Sequence, residues 1–131
     1  LTEREEDMPV TQVYNEGPLE IQQRLESDSV ALVFGGKSIL RDPSEFVLPI
    51  LLRGIEEANS SGKRLLLDFR DVAYMNSSTF TPIIKVLEKA RVGDAQVTVL
   101  YAKGLKWQEV SFTALTIFQT RDGRIEVRGA E

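Results

Sequence analysis

The sequence predicts an α/β domain on a mixed, mostly parallel sheet of about five strands, with its helices packed mainly on one face. Three observations carry this. Short β-rich runs alternate with stretches of helical period, a Ser-Asp turn joins the first two runs with no helix between them, and a helical segment separates every later pair. Runs linked through helices pair in parallel, because parallel neighbours need a long crossover, whereas the opening hairpin adds an antiparallel pair.

Taken in order, residues 1–17 open with Glu3, Arg4, Glu5, Glu6 and Asp7 and contain Pro9, which reads as a flexible, solvated N-terminal tail, although Thr11 to Tyr14 has the alternation of an edge strand. The domain is expected over 18–131. Leu19-Glu20-Ile21-Gln22 alternates as a half-buried strand does, and Ser29 to Phe34 follows as a more buried one, with Ser27-Asp28 as the turn and Gly35-Gly36 as the end of the hairpin. Lys37-Ser38 lacks the glycine spacing of a phosphate-binding loop. Asp42-Pro43-Ser44-Glu45 is a helix start, with Asp42 as cap and Pro43 in the first position. Phe46, Ile50, Leu51, Ile55 and Ala58 give that helix its apolar stripe, Pro49 kinks it or marks its true beginning, and Gly62 closes it.

The stretch from Arg64 to Pro82 organises the rest. Leu65-Leu66-Leu67 predicts a strand covered on both faces; a polar break follows, and then Phe80, Ile83, Ile84, Leu87 and Ala90 fall at helical spacing. Asn76, Ser77, Ser78 and Thr79 therefore stand at a helix entrance, where backbone N–H groups lack partners and the dipole is positive. Ser78 or Thr79 is the expected cap, which leaves Ser77 earlier in the loop and more open. Beyond it, Gln96 to Tyr101 reads as a strand. Leu105 to about Leu115 reads as a short helix with Trp107, Val110, Phe112 and Leu115 as core contacts. Asp122-Gly123 reads as a hairpin turn before an alternating edge strand, Arg124 to Arg128.

Composition narrows the function. With 131 residues, one core and no internal repeat, the chain is expected to be a single domain. A net charge of −4 gives no general attraction for nucleic acid or anionic lipid, so neither is expected as a partner. The chain has no Cys and no His, which removes disulfides, thiolate nucleophiles, Ser-His triads and most transition-metal sites. No metal or cofactor is expected, and a reducing cytoplasm is the simplest location. The longest apolar runs, Phe46 to Leu52 and Leu65 to Leu67, are too short to span a bilayer. Leu1 in place of an initiator Met predicts that the sequence opens inside a longer native chain.

The stretch from Arg64 to Asn76 followed by Ser77-Ser78 resembles the STAS domain, the SpoIIAA-like fold of bacterial anti-sigma factor antagonists. The family's hallmark is an apolar strand ending in Asp, a few residues, and then Asp-Ser-Ser-Gly at a helix start; the element order is similar from about Leu19 to Arg128. The resemblance implies a non-enzymatic regulator that binds a protein partner (a serine kinase acting as anti-sigma factor, a serine phosphatase or a cyclase) and is switched by phosphorylation. By position, Ser77 is the implied phosphoacceptor, with Ser78 as the alternative, and Asn76, Ser77, Ser78, Thr79 and Thr81 form the implied partner-binding set. Two departures stand out: Asn76 replaces the family's Asp and Thr79 its Gly. Asn before the acceptor is similar to a divergent branch whose partner can be a diguanylate cyclase.

Two rival readings come from the residues alone. A module holding an anion or nucleotide at the helix entrance would use the same N–H groups. An enzyme pairing Asp68 or Asp71 with Ser77 or Ser78 would lack an evident base.

Overall fold

The computed structural model describes residues 9–131. A single sheet of six strands runs in chain order: β1 (Val10–Glu16), β2 (Leu19–Leu25), β3 (Ser29–Ser38), β4 (Arg64–Met75), β5 (Val97–Ala102) and β6 (Ile125–Ala130). The pairs β1–β2 and β2–β3 are antiparallel, and the three later pairs are parallel. Helices α1 (Pro43–Ser60), α2 (Phe80–Val92) and α3 (Lys106–Thr113) make the parallel crossovers. Strands added always on the same side through right-handed crossovers send these helices to the same face, and among the described residues no helix covers the other face of this sheet.

The extra strand corrects the reading of residues 1–17 as a tail: residues 1–8 lie outside the described residues, but Val10–Glu16 forms β1. Gly17-Pro18 is the missed signal. Gly17 has φ +58, as the first position of a tight two-residue turn demands, and Glu16 pairs with Leu19 across it.

Gly35-Gly36 does end the hairpin, since the β2–β3 ladder stops at Leu19 opposite Gly36, but β3 itself continues to Ser38 against β4 through shifts of register around the two glycines. Gly36 has φ +85, and a Cβ there would stand 2.0 Å from the carbonyl oxygen of Pro18, so only glycine lets the bulged strand pass. The polar break after Leu67 is likewise strand, since β4 runs on to Met75. Asp122-Gly123 turns into β6 but joins no hairpin; the segment before it, Ala114–Phe118, is a 3-10 helix and β6 pairs in parallel with β5.

The covered face holds the core. Leu19, Ile21, Leu32, Phe34, Leu65, Leu67, Phe69, Val97, Val99, Ile125 and Val127 point at α1, α2 and α3. Phe112 of α3 gathers the aromatic part of it, with ring centroids 4.9 Å from Phe69 and 5.2 Å from Phe80, while Phe34 stacks on Phe69 at 4.5 Å. Trp107 lies half-buried against the same core, as expected, but Val110 is exposed and belongs to no core.

Helix α1 begins at Pro43 with Asp42 before it, though Asp42 makes no side-chain cap and Pro49 lies inside the helix. Leu66 meets no helix, which corrects the expectation of a strand covered on both faces: that side of β4 is open and Leu66 is half-buried.

Candidate functional site

Strand β4 delivers Met75 into the core and ends. Asn76 follows with extended backbone, a single 3-10 turn spans Ser77–Thr79, and α2 starts at Phe80. Thr79, one of the two expected caps, holds the N-cap position of α2 but its side chain makes no capping bond. The capping side chain is that of Asn76, at the start of the 3-10 turn, whose Oδ1 accepts from Thr79 N at 3.2 Å and from Thr79 Oγ1 at 2.6 Å. On its other side Asn76 Nδ2 donates to Leu40 O at 3.0 Å, and Asn76 N donates to Ser38 O at 3.0 Å. Ser38 Oγ lies 2.6 Å from Thr79 Oγ1. Thr79 has one hydroxyl proton and gives it to Asn76, so Ser38 is the donor in that pair.

This network explains both departures from the Asp-Ser-Ser-Gly pattern. The residue at position 76 must accept on one side and donate on the other, which a carboxamide does and a carboxylate does not; Asp would set an oxygen against the Leu40 carbonyl. Thr79 fills the space with a hydroxyl that ties α2 to β3. It is 1% exposed, which corrects its place in the partner-binding set: the side chain is sealed beneath its neighbours. Asn76 is half-buried, whereas Ser77, Ser78 and Thr81 are exposed.

The three consecutive hydroxyls thus have three environments. Thr79 is consumed by the network, Ser78 Oγ donates weakly to Asn76 Oδ1 at 3.4 Å, and Ser77 Oγ makes no hydrogen bond among the described residues. Ser77 stands on the rim of a shallow depression of about 370 Å³ that it shares with Met75, Phe80 and Ser111. Among the described residues no charged side chain lines it. Ile39 and Tyr74, the flanking residues of β3 and β4, are 58% and 49% exposed.

Gln108 holds the far wall. Fully buried, it accepts from Ala102 N at 2.7 Å and donates to Phe69 O at 2.8 Å and Val72 O at 2.9 Å, which fastens α3 across the ends of β4 and β5. Ser38, Gln108 and Ser111 carried no signal in the sequence: Ser38 reaches Thr79, and Gln108 reaches Phe69 and Val72, across more than thirty positions, and Ser111 meets Met75 and Ser77 only through the fold.

The remaining candidates lie apart from the serines. Asp68 accepts from Arg70 N, Nε and Nη2 at 3.1, 3.0 and 2.8 Å, and this hydrogen-bonded pairing holds the guanidinium above its ordinary pKa. Neither Asp68 nor Asp71 hydrogen-bonds to Ser77 or Ser78 among the described residues. A larger groove of about 450 Å³ at the start of α1 is lined by Glu16, Asp42 and Glu45 against Arg41, a poor setting for an anion. Among the described residues, no group of three or more His, Cys, Asp or Glu side chains could hold a metal ion, and no helix is long and apolar enough to cross a membrane.

Comparisons with known proteins bear on the fold alone. No protein-family model matches the chain, and no curated protein does. Among solved structures, an uncharacterized protein of the DUF3478 family from Shewanella loihica PV-4, described as having a SpoIIAA-like fold, aligns at TM-score 0.50 with 18% identity, over 92% of this chain and 91% of that one. Element order, one-sided helix packing and this likeness agree: the chain has the SpoIIAA-like fold of STAS domains.

Proposed function

We propose that this chain is a non-enzymatic, cytoplasmic bacterial regulator of the anti-sigma factor antagonist type, which binds a kinase or other regulatory protein at the end of the sheet where α2 begins. Phosphorylation of Ser77 switches that binding. Neither nucleic acid nor membrane is a partner in this reading. One observation carries it: of three adjacent hydroxyls, only that of Ser77 is both exposed and free of hydrogen bonds among the described residues, at the rim of an uncharged, partly apolar depression.

In the modifying step the partner kinase supplies ATP. A bond forms between Ser77 Oγ and the γ-phosphorus, the β–γ P–O bond breaks, ADP leaves, and the hydroxyl proton passes to a base of the kinase. The product carries between about one and a half and two negative charges at neutral pH. A partner group packed on Met75 and Phe80 would then face a hydrated dianion, and each ~1.4 kcal/mol of lost binding is a tenfold loss of affinity.

The test is intact mass after incubation with candidate serine kinases, together with calorimetric binding of the kinase, a serine phosphatase and a diguanylate cyclase to wild type, Ser77→Ala and Ser77→Asp. The expected result is one added phosphate on wild type, none on Ser77→Ala, and binding lost only in Ser77→Asp. Phosphate on Ser77→Ala, or full binding by Ser77→Asp, would reject the switch.

Asn76 favours a second reading within the same fold, a diguanylate cyclase regulator without the usual partner exchange, since the Leu40 carbonyl selects Asn over Asp. Binding by the cyclase alone would decide for it. A pure anion- or nucleotide-binding module is less well supported, because no Lys or Arg among the described residues lines the depression beside Ser77.

A further inference from the structure

We propose that the outer edge of β1 is a self-association surface, on which a second copy of this chain lays its own β1 antiparallel to the first.

The two edges of the sheet differ in how they are closed. At β6 the outward amide groups are answered from within the chain: Gln119 Oε1 accepts from Val127 N at 2.9 Å, Thr120 Oγ1 accepts from Ile125 N at 3.0 Å, and Thr120 N donates to Ile125 O at 3.2 Å. Glu126 and Arg128 add the charges that guard natural edges. At β1 no described residue covers the outer side. The strand, Val-Thr-Gln-Val-Tyr-Asn-Glu, has no Lys, Arg or Pro, and its only charge is Glu16 at the end. Val10 and Val13 are exposed, the latter at 46%.

The register selects a second copy of β1 as the occupant. Glu16 and Leu19 flank the two-residue turn, and from that pair the antiparallel ladder alternates, so Val13 and Asn15 turn their N–H and C=O groups outward. A two-fold axis through Val13 matches outward residue with outward residue. Val13 meets Val13 of the second copy, and Asn15 meets Thr11, the bulged residue that has no opposite residue in the β2 register and whose Oγ1 donates to Gln23 O at 3.3 Å. Glu16 then lies opposite Val10, so no like charges oppose each other and each strand complements itself. The facing Val13 side chains cover one another on the open side of the sheet.

The test uses the full chain, its Val13→Lys variant and two cysteine variants, feasible because the wild type has no Cys. Light scattering after size exclusion should give twice the 14.7 kDa chain mass for wild type and the single mass for Val13→Lys, with unchanged circular dichroism. Mild oxidation should link Val13→Cys into a covalent dimer but leave Val92→Cys unlinked, although Val92 is 91% exposed. A monomeric wild type at about 100 µM, where any dimer of micromolar Kd is populated, would overturn the proposal. So would a dimer that survives Val13→Lys without linking through Val13→Cys.

Discussion

Two regions of this molecule have no helix over them among the described residues, and they manage exposure in opposite ways. On the open face of the sheet the long polar side chains pair among themselves: Gln22 Nε2 donates to Glu20 at 2.7 Å, Arg24 Nη2 donates to Gln22 at 2.9 Å, Arg70 grips Asp68, and Arg128 lies 3.6 Å from Glu126. Their stems shelter Ala31 and Leu100, which are buried with no helix above them. Where α2 begins, the polar groups are drawn inward instead. Asn76, Thr79 and Ser38 satisfy one another beneath the surface, while Ile39, Tyr74 and the free hydroxyl of Ser77 remain outside. A face whose charges are already paired offers a visitor little; a rim of apolar side chains around one free hydroxyl offers contact area and a place to modify.

Four substitutions test that contrast, from the largest expected effect down. Gln108→Leu leaves Ala102 N, Phe69 O and Val72 O without their partner inside the fold, and should cost about 3 kcal/mol or more in urea unfolding. A loss below about 1 kcal/mol would mean that the wall behind Ser77 is held by something else.

Thr79→Val keeps the shape but removes the proton given to Asn76 and strands the Ser38 hydroxyl. About 1–2 kcal/mol should be lost, with faster amide exchange confined to the turn from Asn76 to Phe80. Uniform exchange across the sheet would deny the network its local role.

On the open face, Glu126→Gln removes an exposed ion pair and should change stability by at most about 0.5 kcal/mol, with high salt abolishing the difference. A much larger loss would show that this lattice is a cooperative layer and would blur the distinction between the two regions.

The smallest effect is electrostatic. The Thr120 hydroxyl, helped by the Arg124 backbone N–H, holds the Asp122 carboxyl below the ordinary carboxylate value of 3.8. A depressed folded pKa means a stabilising contribution that is present above 3.8 and fades as pH falls through the folded value, so Asp122→Asn should flatten stability against pH only in that acid range. NMR titration showing Asp122 at or above the ordinary value would contradict it.

Much of the fold was legible in the sequence because burial on one face writes a period into the chain. Leu19 and Ile21, then Ile83, Leu87 and Ala90, announce strand and helix by spacing, and every element from Leu19 onward is found in the expected order. The misreadings share a cause. Leu65-Leu66-Leu67 looks the same whether Leu66 lies under a helix or under the stems of neighbouring long polar side chains. Likewise Gly35-Gly36 looks the same whether the strand stops with the hairpin there or runs on through a bulge beside β4.

The sequence by itself determined the alternation that makes this an α/β chain, the absence of Cys and His chemistry, and the hydroxyl cluster at the start of α2, since composition and period are local properties. The sequence already placed Ser77 in the open loop; only the tertiary structure decided that Thr79 is sealed and Asn76 tied down beside it. That choice rests on Ser38 and the Leu40 carbonyl, brought from 41 and 36 positions away to hold Thr79 and Asn76. Hydrogen bonds between distant strands leave no mark on the spacing of residues along the chain.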